Sequence, residues 1–228
     1  MKPTFNPAFI ETPAFADDEF IEKLKTIPDI EKYPLHYLFE DMKMPPNGDD
    51  LWLEFGVYSG RTLNYFAKFT DQKVYGFDSF KGLPEDWRPG FDKGAFSREN
   101  RRTWKIPKVL DNVELVIGLF NETLEYFLEK HPEQKVGFVH IDSDLYSSAI
   151  YTLDKLAPRM KKGTIILFDE LVNYEGYAGD NGELKALYEF VKKYNVEFEW
   201  IGMNGKIGIR GDKFEQVALK IVSIELNH

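Results

Sequence analysis

The sequence predicts a doubly wound α/β fold, in which one mostly parallel sheet carries helices on both faces. From residue 51 onward, short apolar runs alternate with amphipathic helical patterns, the order typical of parallel strand–helix units. At the C-terminus two apolar runs, 198–203 and 216–222, follow each other with no helical pattern between them. Strands without a crossover helix pair antiparallel, so we expect an antiparallel strand at the end of the sheet.

Seven strands and four helices account for most of the chain after residue 50. The predicted strands cover 51–55, 73–77, 113–117, 136–141, 164–168, 198–203 and 216–222. The predicted helices cover 61–69, 122–129, 147–160 and 183–193. A connection rich in Gly, Pro and Arg fills 79–111, and connections of that length are usually functional or disordered.

The first 48 residues differ from the rest and are interpreted as an N-terminal helical extension, with residues 49–228 as the main domain. Residues 1–16 are rich in Pro and Phe but lack periodicity, whereas 17–26 and 30–42 have the spacing of two short amphipathic helices. The segment MPPNGDD, 44–50, carries the Pro, Gly and Asp residues of a turn.

Composition argues against several functional classes. The chain has no Cys, which excludes a disulfide framework, a thiolate zinc site and a cysteine nucleophile. Its net charge is −9, and the nearest approach to a nucleic-acid-binding stripe is Arg98, Arg101, Arg102 and Lys105 with Trp104, which we interpret as a solvated loop face. No apolar run reaches the roughly 20 residues that span a bilayer. We expect a soluble, cytoplasmic protein without nucleic-acid or membrane partners.

Carboxylates collect where the predicted strands end. Asp78, Asp142 and Asp169 each directly follow an apolar run, and Glu54 lies at the end of the first strand. The carboxyl ends of parallel strands share one edge of the sheet, which is where doubly wound proteins bind ligands. Any one of these acids could be a helix N-cap, but four in equivalent positions indicate a ligand site.

The turn after the first strand, EFGVYSGRT at 54–62, favours a nucleoside-type cofactor. Gly56 and Gly60 permit a tight turn and a close approach of the backbone to a ligand. Their spacing is GxxxG, not the GxGxxG typical of dinucleotide sites. Asp78 follows about 20 residues later, where an acid accepts hydrogen bonds from a ribose diol. NAD and S-adenosylmethionine both carry that diol; the glycine spacing and the closing strand pair favour S-adenosylmethionine.

Four segments resemble the macrocin O-methyltransferase family, whose members methylate sugars of antibiotics and related small molecules. The segments are LEFGVYSGRT at 53–62, GFDSFKGLP at 76–84, GLFNETL at 118–124 and HIDSDLYSS at 140–148. The resemblance extends from about residue 50 to the end of the chain. It implies a Rossmann-like class I methyltransferase domain with a seven-stranded sheet, S-adenosylmethionine as cofactor and a small-molecule acceptor. Oligomers are common in such a family.

The resemblance also implies which residues hold the methyl donor. The first turn would contact its methionine end, Asp78 its ribose, and the segments after the second and third strands its adenine. The implied donor-binding residues are Glu54, Gly56, Val57, Tyr58, Ser59, Gly60, Thr62, Asp78, Ser79, Phe80, Gly118, Phe120 and Asp142.

A divalent cation, usually Mg²⁺, is the second cofactor that the resemblance implies. The family holds it with one acid after the fourth strand, here Asp142, and an acidic pair after the fifth, here Asp169 and Glu170. The usual pair is Asp-Asp; glutamate is still an oxygen ligand suited to a hard cation, but its reach is longer. Asp144 would be the general base for a hydroxyl acceptor.

Two other functions remain as alternatives: an NAD-dependent oxidoreductase, and a non-catalytic binding module of the same fold. His140 fits a packed, hydrogen-bonded residue better than a catalytic base, and Tyr146 and Tyr174 fit acceptor contact and loop packing equally well. We expect residues 1–48 and the loop 87–104 to form a lid over the acceptor.

Overall fold

The computed structural model describes residues 12–44, 48–99, 106–204 and 215–226, and a seven-stranded sheet forms its centre. The strands are β1 (Leu51–Phe55), β2 (Val74–Asp78), β3 (Val113–Ile117), β4 (Val136–Ile141), β5 (Ile165–Phe168), β6 (Glu197–Met203) and β7 (Val217–Ser223). Their order across the sheet is β3-β2-β1-β4-β5-β7-β6. β1 to β5 run parallel, and β7 pairs antiparallel with both β5 and β6. The predicted fold class is confirmed.

The described helices flank this sheet. They are α1 (Asp18–Leu24), α2 (Pro34–His36), α3 (Arg61–Ala67), α4 (Phe120–Lys130), α5 (Tyr146–Leu156) and α6 (Glu183–Lys193). A π-helical turn, Tyr37–Asp41, continues α2, and a 3₁₀ turn, Ala157–Arg159, continues α5.

Two predicted helices differ from the observed ones for identifiable reasons. The pattern over 30–42 predicted one helix, but Asp29 forms an isolated parallel bridge with Met203, in which Ile30 donates its N–H to Met203 O at 2.9 Å. The helix starts only at Pro34, whose fixed φ and missing N–H suit a first turn. The predicted helix 147–160 becomes a 3₁₀ turn after Leu156, because Pro158 cannot donate a helical hydrogen bond.

Both faces of the sheet are covered, which explains why its central strands are apolar throughout. Every residue of β1 and β4 is buried, as expected for parallel strands packed between two helical layers. One core cluster includes Phe55 stacked on Phe77, with ring centroids 4.6 Å apart. The other includes Trp52 and Phe138, against which Phe39 packs from the N-terminal segment.

The strand order reverses between β1 and β4, and this reversal positions the site. From β1 the chain moves outward through β2 to β3, and from β4 it moves outward in the other direction. The connections therefore diverge at the carboxyl ends of β1 and β4, leaving a crevice between them. Within the described residues, no helix combines the length and the apolar character needed to cross a membrane.

Candidate functional site

A cavity of about 420 Å³ opens at this crevice. Most of the predicted site residues that line it come from the ends of β1, β2 and β4 or the segments that follow them. The predicted residues in its lining are Gly56, Tyr58, Asp78, Ser79, Gly118, Phe120, Asp142, Asp144 and Glu170. The remaining predicted residues lie outside the lining, and they are Glu54, Val57, Ser59, Gly60, Thr62, Phe80 and Asp169.

Asp78 closes the turn after β1 and still faces the cavity. Its Oδ2 accepts the N–H groups of Val57 and Tyr58, at 2.9 and 2.7 Å, and its Oδ1 accepts that of Phe80 at 2.6 Å. Each carboxylate oxygen has two lone pairs, so Oδ1 retains one for a further donor. Asp78 therefore holds the turn in shape and fits a ribose hydroxyl at the same time.

Gly56 is required by the chain's own backbone. Its φ is +98°, and a Cβ there would lie 1.7 Å from the carbonyl oxygen of Asp142. The sequence suggested that this glycine allows approach to a ligand; in the structure it allows the ends of β1 and β4 to approach each other. Gly60 fits the predicted tight turn, with φ at +72° directly before α3.

A cluster of carboxyl groups forms the other side of the cavity. Burial, reinforced by Asp169, raises the pKa of Asp142 and Glu170 well above their ordinary values. Burial also raises the pKa of Asp144 to about 7 and that of Glu183 to about 8. Carboxyl groups packed this closely repel one another when ionised, and a bound cation would relieve that repulsion.

Asp169 differs from its neighbours because it is paired with His140. His140 Nε2 lies 3.3 Å from Asp169 Oδ1, and Nδ1 lies 2.9 Å from Glu54 Oε1. Burial opposes charge on this ring, but the hydrogen bonds to the two carboxylates raise the pKa of His140 well above its ordinary value. Since both nitrogens face carboxylate oxygens, we assign both as donors. The same interactions outweigh burial and lower the pKa of Asp169.

Glu54 lies outside the cavity lining. It is fully buried, and its Oε1 pairs with His140. The predicted contact of Glu54 with a methyl donor stays a prediction that the cavity lining does not support. His140 is the packed, hydrogen-bonded residue expected from the sequence. It also links two predicted site residues, Glu54 and Asp169.

The side chains that could hold a cation differ in part from the predicted set. Ligand atoms of His140, Asp142 and Asp169 lie within 4.8 Å of one another, whereas Glu170 is outside this group. A His140 Nε2 that donates to Asp169 has no lone pair for a metal. The two aspartates offer the hard oxygen ligands that Mg²⁺ prefers, and buried Glu170 Oε2 has no hydrogen-bond partner among the described residues. These donors fit a hard divalent cation.

The sequence did not reveal Glu183, a fully buried carboxylate in the first turn of α6. It accepts the backbone N–H of Ser143 at 3.2 Å and that of Glu170 at 3.3 Å. It thus ties the segment after β4 to the segment after β5. An acid in a first helical turn is common, so its position in the sequence carried no signal of this link.

The connection after β2 covers one side of the cavity. Gly82, Leu83, Pro84 and Phe96 line it, and the ring of Phe96 meets that of Tyr58 edge-on with centroids 6.1 Å apart. Of these residues only Phe96 belongs to the loop 87–104, and a lid over the acceptor stays a prediction. Residues 100–105, which include most of the basic group noted in the sequence, lie outside the described residues.

Tyr146 and Tyr174 have partners within the chain. Tyr146, the first residue of α5, donates its hydroxyl to Glu189 at 2.6 Å, and the Tyr174 ring lies 4.7 Å from the guanidinium carbon of Arg88. Neither tyrosine is in the cavity lining, so packing within the chain describes both better than acceptor contact.

The reversal between β1 and β4, with the acid Asp78 at the end of β2, is the arrangement found in α/β proteins that bind nucleoside-type cofactors. Residues 53–171, just over half of the chain, match the family described as methyltransferase domain, and the chain belongs to that family. This match weakens the alternative of an NAD-dependent oxidoreductase.

Two curated relatives are O-methyltransferases by their names. One is the 8-demethyl-8-(2,3-dimethoxy-alpha-L-rhamnosyl)-tetracenomycin-C 4'-O-methyltransferase of Streptomyces olivaceus, 26% identical over 141 residues, with a coverage of 52% of this chain and 51% of the relative. The other is the demethyldecarbamoylnovobiocin O-methyltransferase of Streptomyces niveus, 31% identical over 114 residues, 44% of this chain and 42% of the relative. The chain thus spans about half the length of the curated relatives it matches.

Solved structures share the fold. The calicheamicin methyltransferase CalS11 superimposes with a TM-score of 0.59 at 21% identity, over 82% of this chain and 78% of that one. An O-methyltransferase from Bacillus cereus in complex with SAH superimposes with a TM-score of 0.50 at 16% identity, over 91% of this chain and 92% of that one.

Proposed function

We propose that this chain is an S-adenosylmethionine-dependent O-methyltransferase that methylates a hydroxyl group of a small molecule with the help of a divalent cation. The observation that carries the proposal is that one cavity joins two unlike sides. One side has the features of a nucleoside site, with Asp78, Gly118 and Phe120; the other has the carboxyl groups of Asp142 and Asp144. Membership of the methyltransferase domain family and two relatives named O-methyltransferases support it.

The methyl donor would occupy the side of the cavity formed by the ends of β1, β2 and β3. Asp78 Oδ1 has a lone pair for a ribose hydroxyl, and Phe120 offers an apolar surface for adenine. Gly56 and Tyr58 would face the methionine end. The predicted donor residues outside the lining would act indirectly by shaping the turn, as Val57 does through its N–H to Asp78.

The chemistry requires alignment and removal of one proton. Methyl transfer from a sulfonium is a direct displacement: the acceptor oxygen–carbon bond forms as the carbon–sulfur bond breaks, and S-adenosylhomocysteine leaves. Asp144 lines the cavity two positions after Asp142 and would accept the hydroxyl proton. A cation held by Asp142, Asp169 and Glu170 would bind the acceptor oxygen and lower its pKa.

The acceptor class follows from the relatives alone. Their names specify a rhamnosyl tetracenomycin and a demethyldecarbamoylnovobiocin. We propose a sugar hydroxyl, or a hydroxyl of another natural product, for this chain.

Labelled methyl transfer tests this function. S-adenosylmethionine with a labelled methyl group is incubated with a panel of deoxysugar glycosides and phenols, in Mg²⁺ or in excess chelator. We expect transfer in Mg²⁺ and its loss in chelator. Asp144→Asn should lower kcat by about 10²- to 10⁴-fold, the usual contribution of a general base, with donor affinity unchanged.

Asp154→Asn is the matched control, because Asp154 pairs with Lys193 and is not part of the cavity lining. It should leave kcat unchanged. Full turnover by Asp144→Asn would show that Asp144 is not the base. Full turnover in excess chelator would show that the reaction does not need the cation.

A further inference from the structure

Asp169 is held by three donors that come from three separate parts of the chain. Its Oδ1 accepts Gln216 Nε2 at 2.5 Å, His140 Nε2 at 3.3 Å and the Tyr33 hydroxyl at 3.3 Å. His140 belongs to β4 and Gln216 directly precedes β7, whereas Tyr33 directly precedes α2. Tyr33 and Gln216 both lie outside the 53–171 segment that matches the family.

The N-terminal segment reaches Asp169 by a second route as well. Gln216 is 1% exposed, and its Oε1 accepts the backbone N–H of Leu35 at 2.9 Å. Because the amide oxygen is committed to that N–H, the amide nitrogen must face Asp169. Residues 33–35 therefore contact Asp169 directly through Tyr33 and indirectly through Gln216.

Three donors lie within hydrogen-bond distance of this one oxygen and share its two lone pairs, which restricts how the carboxylate can turn. The terminal torsion of Asp is broad, so a carboxylate without such partners samples many orientations. The Tyr33 hydroxyl is neutral in its ordinary form and serves as a donor to Oδ1. With Oδ1 fixed by Tyr33, His140 and Gln216, the direction of the whole Asp169 carboxylate is set.

We propose that Tyr33 is a positioning residue, through which the N-terminal segment orients Asp169 for binding the divalent cation. The proposal rests on the proposed function, which places Asp169 among the cation's ligands. Partners of metal ligands orient the ligands they contact, and losing one commonly lowers metal affinity by about 10- to 100-fold. Tyr33 is one of three donors, so the lower end of that range applies.

The test measures Mn²⁺ binding to the full chain by electron paramagnetic resonance. The chain is saturated with S-adenosylhomocysteine throughout. Tyr33→Phe removes only the hydroxyl. We expect it to weaken Mn²⁺ binding by about tenfold. The affinity for S-adenosylhomocysteine, measured by calorimetry, should stay within about twofold of that of the unaltered chain, since the Tyr33 hydroxyl contacts Asp169.

Tyr65→Phe is the matched control. It also removes a hydroxyl that joins the N-terminal segment to the main domain, but this hydroxyl donates to the exposed Glu40 at 2.8 Å. It should leave Mn²⁺ binding unchanged.

Three outcomes would overturn the proposal, and they are distinguishable. Equal Mn²⁺ affinity in Tyr33→Phe and the unaltered chain removes the positioning role alone. A parallel loss of Mn²⁺ and S-adenosylhomocysteine affinity assigns Tyr33 a general structural role. No Mn²⁺ binding by the unaltered chain removes the cation from the proposed function, and the positioning role with it.

Discussion

Gly56 lies where β1 and β4 end, and the contact between them leaves no room for a side chain. A Cβ would lie 1.7 Å from a backbone oxygen, which cannot move aside as a flexible side chain could. We expect Gly56→Ala to lower the free energy of unfolding by about 3–5 kcal/mol, the range of severe core defects. Urea denaturation measures this change.

Gly90→Ala separates the clash from backbone strain. Gly90 has a similar φ, +89°, but among the described residues nothing lies within 4 Å of the position that a Cβ would take. Gly90→Ala should lower the free energy of unfolding by only about 1–2 kcal/mol, the usual penalty of a left-handed conformation for a non-glycine residue. Similar losses in the two variants would show that the close approach of β1 and β4 contributes little.

The acids at the strand ends show how far residue-level prediction extends. Asp78 and Asp142 line the cavity as expected, because parallel strands bring their carboxyl ends to one edge. Glu54 does not line the cavity, because its side chain pairs with His140 instead. That difference depends on which neighbour each side chain meets across the sheet, and the spacing of residues along the chain does not contain this information.

Arg159 joins the 3₁₀ turn after α5 to the C-terminal end of α4. Its guanidinium donates to His131 O at 2.8 Å, to Leu128 O at 3.2 Å and to Pro132 O, so it closes the C-terminal end of α4. Free carbonyls at a helix end favour such a cation. Arg159→Ala should lower the free energy of unfolding by about 2 kcal/mol, the contribution of hydrogen bonds from a charged group.

Lys162→Ala is the control, since Lys162 is an exposed neighbour in the turn before β5. It should change the free energy of unfolding by less than about 0.5 kcal/mol. A loss in Arg159→Ala no larger than this would contradict the role of Arg159 at the end of α4.

Strands were easier to predict than the N-terminal helices. The apolar runs of β1 and β4 are continuous because both faces are buried, so their limits are clear in the sequence. The pattern over 30–42 has helical spacing too, but the N–H of Ile30 is donated to Met203, far away in the chain. Tertiary pairing of this kind overrides a local pattern and cannot be seen in it.

At the scale of the whole molecule, the described part of the N-terminal segment is integrated into the domain. Phe20 and Ile27 belong to one core cluster, and Leu38 and Phe39 to the other. The division of the chain at residue 48 and the lid over the acceptor remain predictions. The contacts of residues 33–35 with Asp169 and Gln216 show how this segment can influence the site without lining it.

Calorimetry with S-adenosylhomocysteine and with NADH tests the central claim, that the cavity binds the methyl donor. Both ligands carry a ribose diol, so either one could account for the acid at Asp78. We predict saturable binding of S-adenosylhomocysteine, weakened about tenfold in Asp78→Asn by the loss of charge-assisted hydrogen bonds. NADH should not bind. Binding of NADH without binding of S-adenosylhomocysteine would contradict the account.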